Sequence, residues 1–169
     1  WLGEDGDSGR GRGGPMWITP NHNARSLTHR FVEAARRAGL GNEAQYNGHA
    51  YQGAWIAELA LRQGKRFSAY HAYLEPSMRR SNLEVVSAAH ATRINIDGGR
   101  ATGVSVRRGG HVQSFAARAV ALAAGAYGSP HLLMHSGVGP AAKLKALGLP
   151  VQIDAPEVGE NLQDHPVLP

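Results

Sequence analysis

The chain has 169 residues, is 42% hydrophobic and 18% charged, carries a formal net charge of +5, and contains no cysteine. That length supports a globular domain with a real core, while the lack of cysteine excludes disulfide frameworks, thiolate metal sites and cysteine nucleophiles and leaves redox chemistry to a cofactor. No apolar run approaches the roughly 20 residues that span a bilayer, and Trp1 to Asp7 lack a secretory layout, so a soluble, cytoplasmic chain without a membrane span is expected.

Residues 1–15 are rich in glycine and charge without periodicity and read as a flexible loop. Within them, Gly9 to Gly14 matches G-x-G-x-x-G, but neither a buried strand before it nor a helix after it is legible, so the match is not read as a phosphate cradle. Gly6-Asp7-Ser8-Gly9 copies a protease nucleophile segment with no histidine or aspartate partner upstream in the order that chemistry uses. The first residue is Trp1 rather than Met, which points to an internal segment of a longer protein.

From Ser26 to Ala38, Leu27, Phe31, Ala34, Ala35 and Ala38 recur at helical spacing, and Gly39 or Gly41 is placed to end the helix; its apolar face is expected to pack on a sheet or another helix. Asn42 to Gly53 reads as loop, Trp55 to Leu61 as a short helix or buried turn, and Ser68 to Met78 as a helix interrupted by Pro76. Past Asn82 the period changes to alternation through Leu83 and Val85, Ile94 and Ile96, Val104 and Val106, then Val112 and Phe115. Gly98-Gly99 and Gly109-Gly110 supply the positive φ of tight hairpins, giving a three-strand antiparallel meander.

Ala119 to Ala124 is a continuous run of small apolar residues, the pattern of a strand covered on both faces. It runs through a glycine turn into a helix predicted over Ser129 to His135, with Ser129 as N-cap and Pro130 in the first helical position. Such a strand, turn and helix bring backbone close to a nucleotide at the carboxyl edge of an open α/β sheet. Ser136 is expected to help end that helix; a second helix follows from Pro140 to Leu147 before Gly148, and Val151 and Ile153 make a last short strand.

His131 and His135 stand four apart, so their rings share a helix face, but Leu-Leu-Met between them lacks the glutamate of a hydrolytic zinc helix, and no metal site is assigned. His165 has Asp164 beside it, a pair without a third member. The arginines are scattered in pairs such as Arg79-Arg80 and Arg107-Arg108, which does not make the basic stripe with interleaved aromatics of a nucleic-acid binder.

The run Gly128-Ser129-Pro130-His131-Leu132-Leu133-Met134-His135-Ser136-Gly137-Val138-Gly139 resembles a signature motif of the glucose–methanol–choline oxidoreductases. Further pieces agree in order: Gly13-Gly14-Pro15, Asn47-Gly48, Gly64 to Ser68, Ala72-Tyr73-Leu74, Arg80 to Leu83, Arg100 to Val104, Ala123 to Ala126, and Gly159 to Pro166. Together they cover residues 11 to 169 and are most similar to the choline dehydrogenase-like branch.

The resemblance implies an α/β fold with α+β character. It would be part of an FAD-binding Rossmann-like sheet with the meander inserted, plus pieces of the substrate domain. Residues 16–80 would be a substrate-domain or interdomain segment, 81–139 part of the FAD-binding domain, and 140–169 a return toward the substrate domain. It implies FAD as cofactor and a small-molecule alcohol as the substrate of the full-length protein, oxidised to aldehyde or ketone by hydride transfer to flavin. No specific nucleic acid is implied.

By the same resemblance, Ala91, where the family more often carries valine, lies against adenine through its backbone, and Ala124, Gly125 and Ala126 pass close to the adenosine ribose. The family's catalytic histidine lies beyond this chain, so none is assigned here, and the 169 residues alone are expected neither to hold FAD tightly nor to turn over an alcohol. A non-catalytic, truncated binding module of the same fold is the alternative.

Overall fold

The computed structural model describes residues 11–41 and 53–165. Gly6 to Gly9, Asn42 to Gln52 and Asn47-Gly48 therefore lie outside the described residues, as does Pro166. Two compact units divide between Val85 and Val86.

In the first unit, α1 spans Ser26–Arg37. It ends where Gly39, at φ 82°, donates to the Arg36 carbonyl and Leu40 donates to the Ala35 carbonyl, at 2.9 and 3.0 Å. This pair of bonds satisfies carbonyls that the helix itself leaves free and needs a residue without Cβ at the left-handed position. Of the two glycines offered by the sequence, Gly39 does this. The expected packing of the apolar face is corrected: Val32 and Ala35 are buried, whereas Leu27 and Phe31 face solvent.

Trp55 to Leu61 forms no helix. Leu59 pairs with Thr19 in an isolated antiparallel bridge, and Leu61–Arg62 (β1) pairs with Lys65–Arg66 (β2) across Gln63 and Gly64, both at positive φ. Bridging the Thr19 backbone at long range replaces the local bonds that a short, isolated helix makes poorly. Arg62 holds its guanidinium 4.4 Å from the Trp17 ring centroid, and Phe67, buried, packs against Trp17 and His71. The Ser68 to Met78 segment is helical but not α-helical: a π-helical turn at Tyr70–Leu74 passes into a 3-10 turn at Glu75–Ser77, where Pro76 removes a donor.

The second unit is built on the antiparallel sheet β3 (His90–Asp97), β4 (Arg100–Arg108) and β5 (His111–Ala116), in that order. Gly98 and Gly99 have φ 54° and 75°, Gly109 and Gly110 have φ 56° and 84°, and each pair forms the two-residue turn that matches strand twist. Gly103 on β4 is required by close approach, since a Cβ there would collide with the Phe115 carbonyl of β5. Leu83 and Val85 belong to no strand.

Four further elements complete the unit: α2 (Gly125–His135), β6 (Val138–Gly139) pairing in parallel with β7 (Ile153–Asp154), and α3 (Ala141–Ala146). The sequence places the start of α2 at Ser129, but the helix begins four residues earlier and Pro130 lies inside it. Ser129 is not the N-cap; its Oγ instead accepts the Ala124 N–H at 3.1 Å, holding the chain just before the helix. Ala119 to Ala124 is not a strand and is mostly exposed. A buried parallel strand needs neighbours on both sides for its backbone groups, and no ladder partner for it is present among the described residues.

Leu144 and Ser136 are fully buried at the centre of this unit. The N-terminus of α3 is satisfied by Asp154 Oδ1, which accepts the Ala141 N–H at 3.0 Å. Gly148 and Leu149 close its other end on the Lys145 and Leu144 carbonyls. No helix among the described residues is long and apolar enough to cross a membrane.

Candidate nucleotide-facing cleft

The start of β3 and the inner face of α2 enclose a cleft of about 440 Å³, within the range of small-molecule sites. Two features of the sequence produce it. On β3 the register with β4 runs Ala91 to Val106 and then Arg93 to Ser105, so Thr92 is an extra residue, a bulge that bends the strand. Thr92 Oγ1 fixes that bulge by donating to the Ser105 carbonyl at 3.1 Å. On α2, Gly128, His131 and His135 recur at three- and four-residue spacing and so form one stripe, which lines the cleft together with Leu132.

The far end of α2 is pinned to β3. The Ile94 N–H donates to Ser136 Oγ at 2.8 Å, and the same hydroxyl donates to the Leu132 carbonyl at 2.6 Å. Ser136 thus does more than end the helix as the sequence suggests; it locks the spacing between helix and strand on which the cleft depends.

The structure brings Ala91 and Ala124 onto the walls of this one cleft. Gly125, at φ 83°, is the first residue of α2, in a conformation that a side chain makes costly. Ala126 does not line the same cleft. It lies on an adjoining one of about 460 Å³ with Tyr127, Pro130, Met134, Gly159 and Leu162, and Gly128 and His131 border both.

Sequence reasoning missed Gly128. A Cβ at that position would stand 3.0 Å from the Ala124 Cβ, so glycine keeps the wall bare. With Ala89, Ala91 and Ala124, it leaves main chain accessible to a flat ligand. Bare main chain of this kind is a surface against which a planar ring system can lie closely. The polar side chains around it are His90, Thr92, Arg107, His131 and His135, and none of the lining residues is acidic. The His131 and His135 rings touch, with centroids 4.5 Å apart, as their spacing predicts. Among the described residues no group of three or more histidine, aspartate or glutamate side chains is gathered to hold a metal. Asp164 and His165 lie 3.7 Å apart and almost wholly exposed.

The family model described as GMC oxidoreductase matches residues 11–167. The chain is 44% identical over 164 residues to an oxygen-dependent choline dehydrogenase of Sinorhizobium fredii, covering 96% of this chain and 29% of that protein. Among solved structures, a pyridoxine 4-oxidase from Mesorbium loti is similar at 30% identity with a TM-score of 0.72, covering 87% of this chain and 29% of that one. An FAD-dependent oxidoreductase from Chaetomium thermophilum is similar at 30% identity with a TM-score of 0.76, covering 87% of this chain and 26% of that one. The chain therefore spans less than a third of the length of the relatives it matches.

Proposed function

Because the chain belongs to the GMC oxidoreductase family, we propose that its cleft forms the adenine side of an FAD site in an enzyme that oxidises a small alcohol to an aldehyde or ketone. FAD, when bound, supplies the hydride acceptor for the alcohol carbon. The residues of this chain position it. Ala91 offers backbone to the adenine, Ala124 offers a small wall beside the ribose, and Gly128 keeps bulk out of the space between them.

The observation that carries this reading is that Ala91 and Ala124, far apart in sequence, line one cleft, where Ala89 on the strand side and Gly128 on the helix add two more small residues to its walls. The share of the relatives covered by the chain, 29% of the choline dehydrogenase, makes alcohol turnover a property proposed for the whole protein. A choline-like alcohol is the substrate class suggested by the relatives, and a reducing, cytoplasmic setting accords with a sequence free of cysteine.

Competition tests the assignment. FAD anisotropy is titrated with the chain, and the complex is then challenged with adenosine or riboflavin. Displacement by adenosine and not by riboflavin is expected; displacement by riboflavin alone contradicts an adenine-side cleft.

A further inference from the structure

Among the described residues, the sheet of the second unit has one open edge. On the β3 side α2 intervenes, and the Ile94 N–H is taken by Ser136 Oγ. On the other side β5 ends the strand order and pairs with β4 alone. The Ala117 N–H donates to the Thr102 carbonyl at 2.9 Å. By the alternation of an antiparallel ladder, His111, Gln113 and Phe115 therefore turn their backbone groups to β4, while Val112, Ser114 and Ala116 turn theirs outward. The Ser105 and Ser114 hydroxyls agree with this phase: they stand 3.0 Å apart, the close approach of an opposed pair that exchanges no backbone bonds.

Natural sheet edges are blunted by charged side chains, proline or a bulge. None is present here. His111 to Ala116 contains no lysine, arginine, acid or proline. Its register runs from Gly103 opposite Ala116 to Arg108 opposite His111 without a shift, and all six residues are exposed, Val112 and Phe115 included. The strand is also complementary to itself. With a second β5 laid antiparallel about a two-fold axis at Ser114, serine faces serine, Val112 faces Ala116 and Gln113 faces Phe115. Every outward N–H and C=O of Val112, Ser114 and Ala116 in both copies then has a partner, and no charge meets a like charge. Arg108 and Arg118 lie outside the strand, so nothing within it selects an acidic peptide.

We infer that β5 is a self-association edge, at which a second copy of this chain adds its own β5 antiparallel to form one continuous sheet across a two-fold axis. A single pair of short strands buries less than the roughly 1,200 Å² of a stable interface, and each copy carries a net charge of +5. The dimer is therefore reversible, forms at about 0.1 mM and above, and strengthens as salt screens that charge.

The test is sedimentation equilibrium of the full chain from about 10 µM to about 1 mM, in wild type and in Ser114→Lys and Ser114→Glu variants, with circular dichroism reporting the fold. Wild type is expected to pass from one copy to two. Each variant places like charges face to face on the axis and is expected to dimerise about tenfold or more weakly, whereas an equimolar mixture of the two restores the dimer. A wild type that stays monomeric throughout, whether or not it takes an extended oligoglutamate peptide instead, overturns the inference. So does a dimer indifferent to both substitutions, a mixture that associates no better than its components, or growth beyond two copies. Should the variants not fold, amide exchange of the wild type decides: raising the concentration is expected to slow Val112, Ser114 and Ala116 more than Gln113 and Phe115, and exchange independent of concentration overturns the edge pairing.

Discussion

The Ile94 amide and the Ser136 hydroxyl are joined by a 2.8 Å hydrogen bond that ties the middle of β3 to the end of α2 in a fully buried position. Because Ser136 Oγ both accepts from Ile94 and donates to Leu132, removing it orphans a buried N–H. Ser136→Ala is expected to lower stability by about 1–3 kcal/mol. Urea unfolding measures the loss, and amide exchange at Ile94 should accelerate in the variant; an unchanged midpoint contradicts the role.

Gly137 follows immediately, at φ 87°, and its carbonyl accepts from Gln152 and Ile153 at 2.8 and 3.1 Å. A Cβ there would lie 2.8 Å from the Pro150 carbonyl oxygen. Gly137→Ala therefore combines an unfavourable dihedral with a backbone clash, and a destabilisation of at least about 1 kcal/mol is expected. Thermal melts of variant and wild type check this, with Gly98→Ala as the control for positive φ without a clash, since nothing lies within 4 Å of a Cβ at Gly98.

How bulk is tolerated should differ between the two walls of the cleft. Ala91 is proposed to act through its backbone, so Ala91→Val is expected to change FAD affinity by no more than about twofold, the scale of ordinary exposed substitutions. Ala124→Leu places a branched side chain against Gly128, where even a Cβ on the glycine would be only 3.0 Å from the alanine methyl, and is expected to weaken binding about tenfold or more. Equal tolerance at both positions in a fluorescence titration would count against the proposed geometry.

The meander was legible in the sequence because its turns and its strands speak the same language. Gly98-Gly99 and Gly109-Gly110 can hold positive φ, and the residues between alternate. The end of α1 was legible for a similar local reason at Gly39. Ala119 to Ala124 misled, because a run of small apolar residues reports burial only when neighbouring strands are there to pair with it. The start of α2 at Gly125 was obscured by Ser129 and Pro130, which together look like a cap and a first turn. Of the site, Ala91 and Ala124 were reachable only through the family resemblance, and the contact of His131 with His135 through their spacing. Gly128 and the burial of Ser136 were not, since a tertiary approach leaves no periodic trace in the chain.

A chain limited to these 169 residues is expected to leave FAD oxidised when mixed with choline or another small alcohol. The role proposed for the cleft is adenine-side positioning alone, and the one histidine paired with an acid among the described residues, His165 with Asp164, is almost wholly exposed. Flavin absorbance under anaerobic conditions checks this, and bleaching of the flavin dependent on the alcohol contradicts it.

The most direct test of the adenine-side assignment is amide hydrogen exchange of the chain with and without saturating FAD. Slowed exchange at Ala91 and across Ala124 to Gly128, with the exposed β5 edge at His111–Ala116 unaffected, is the predicted result. Slowing confined to other segments, or none at all under conditions where FAD binding is measured independently, would contradict it.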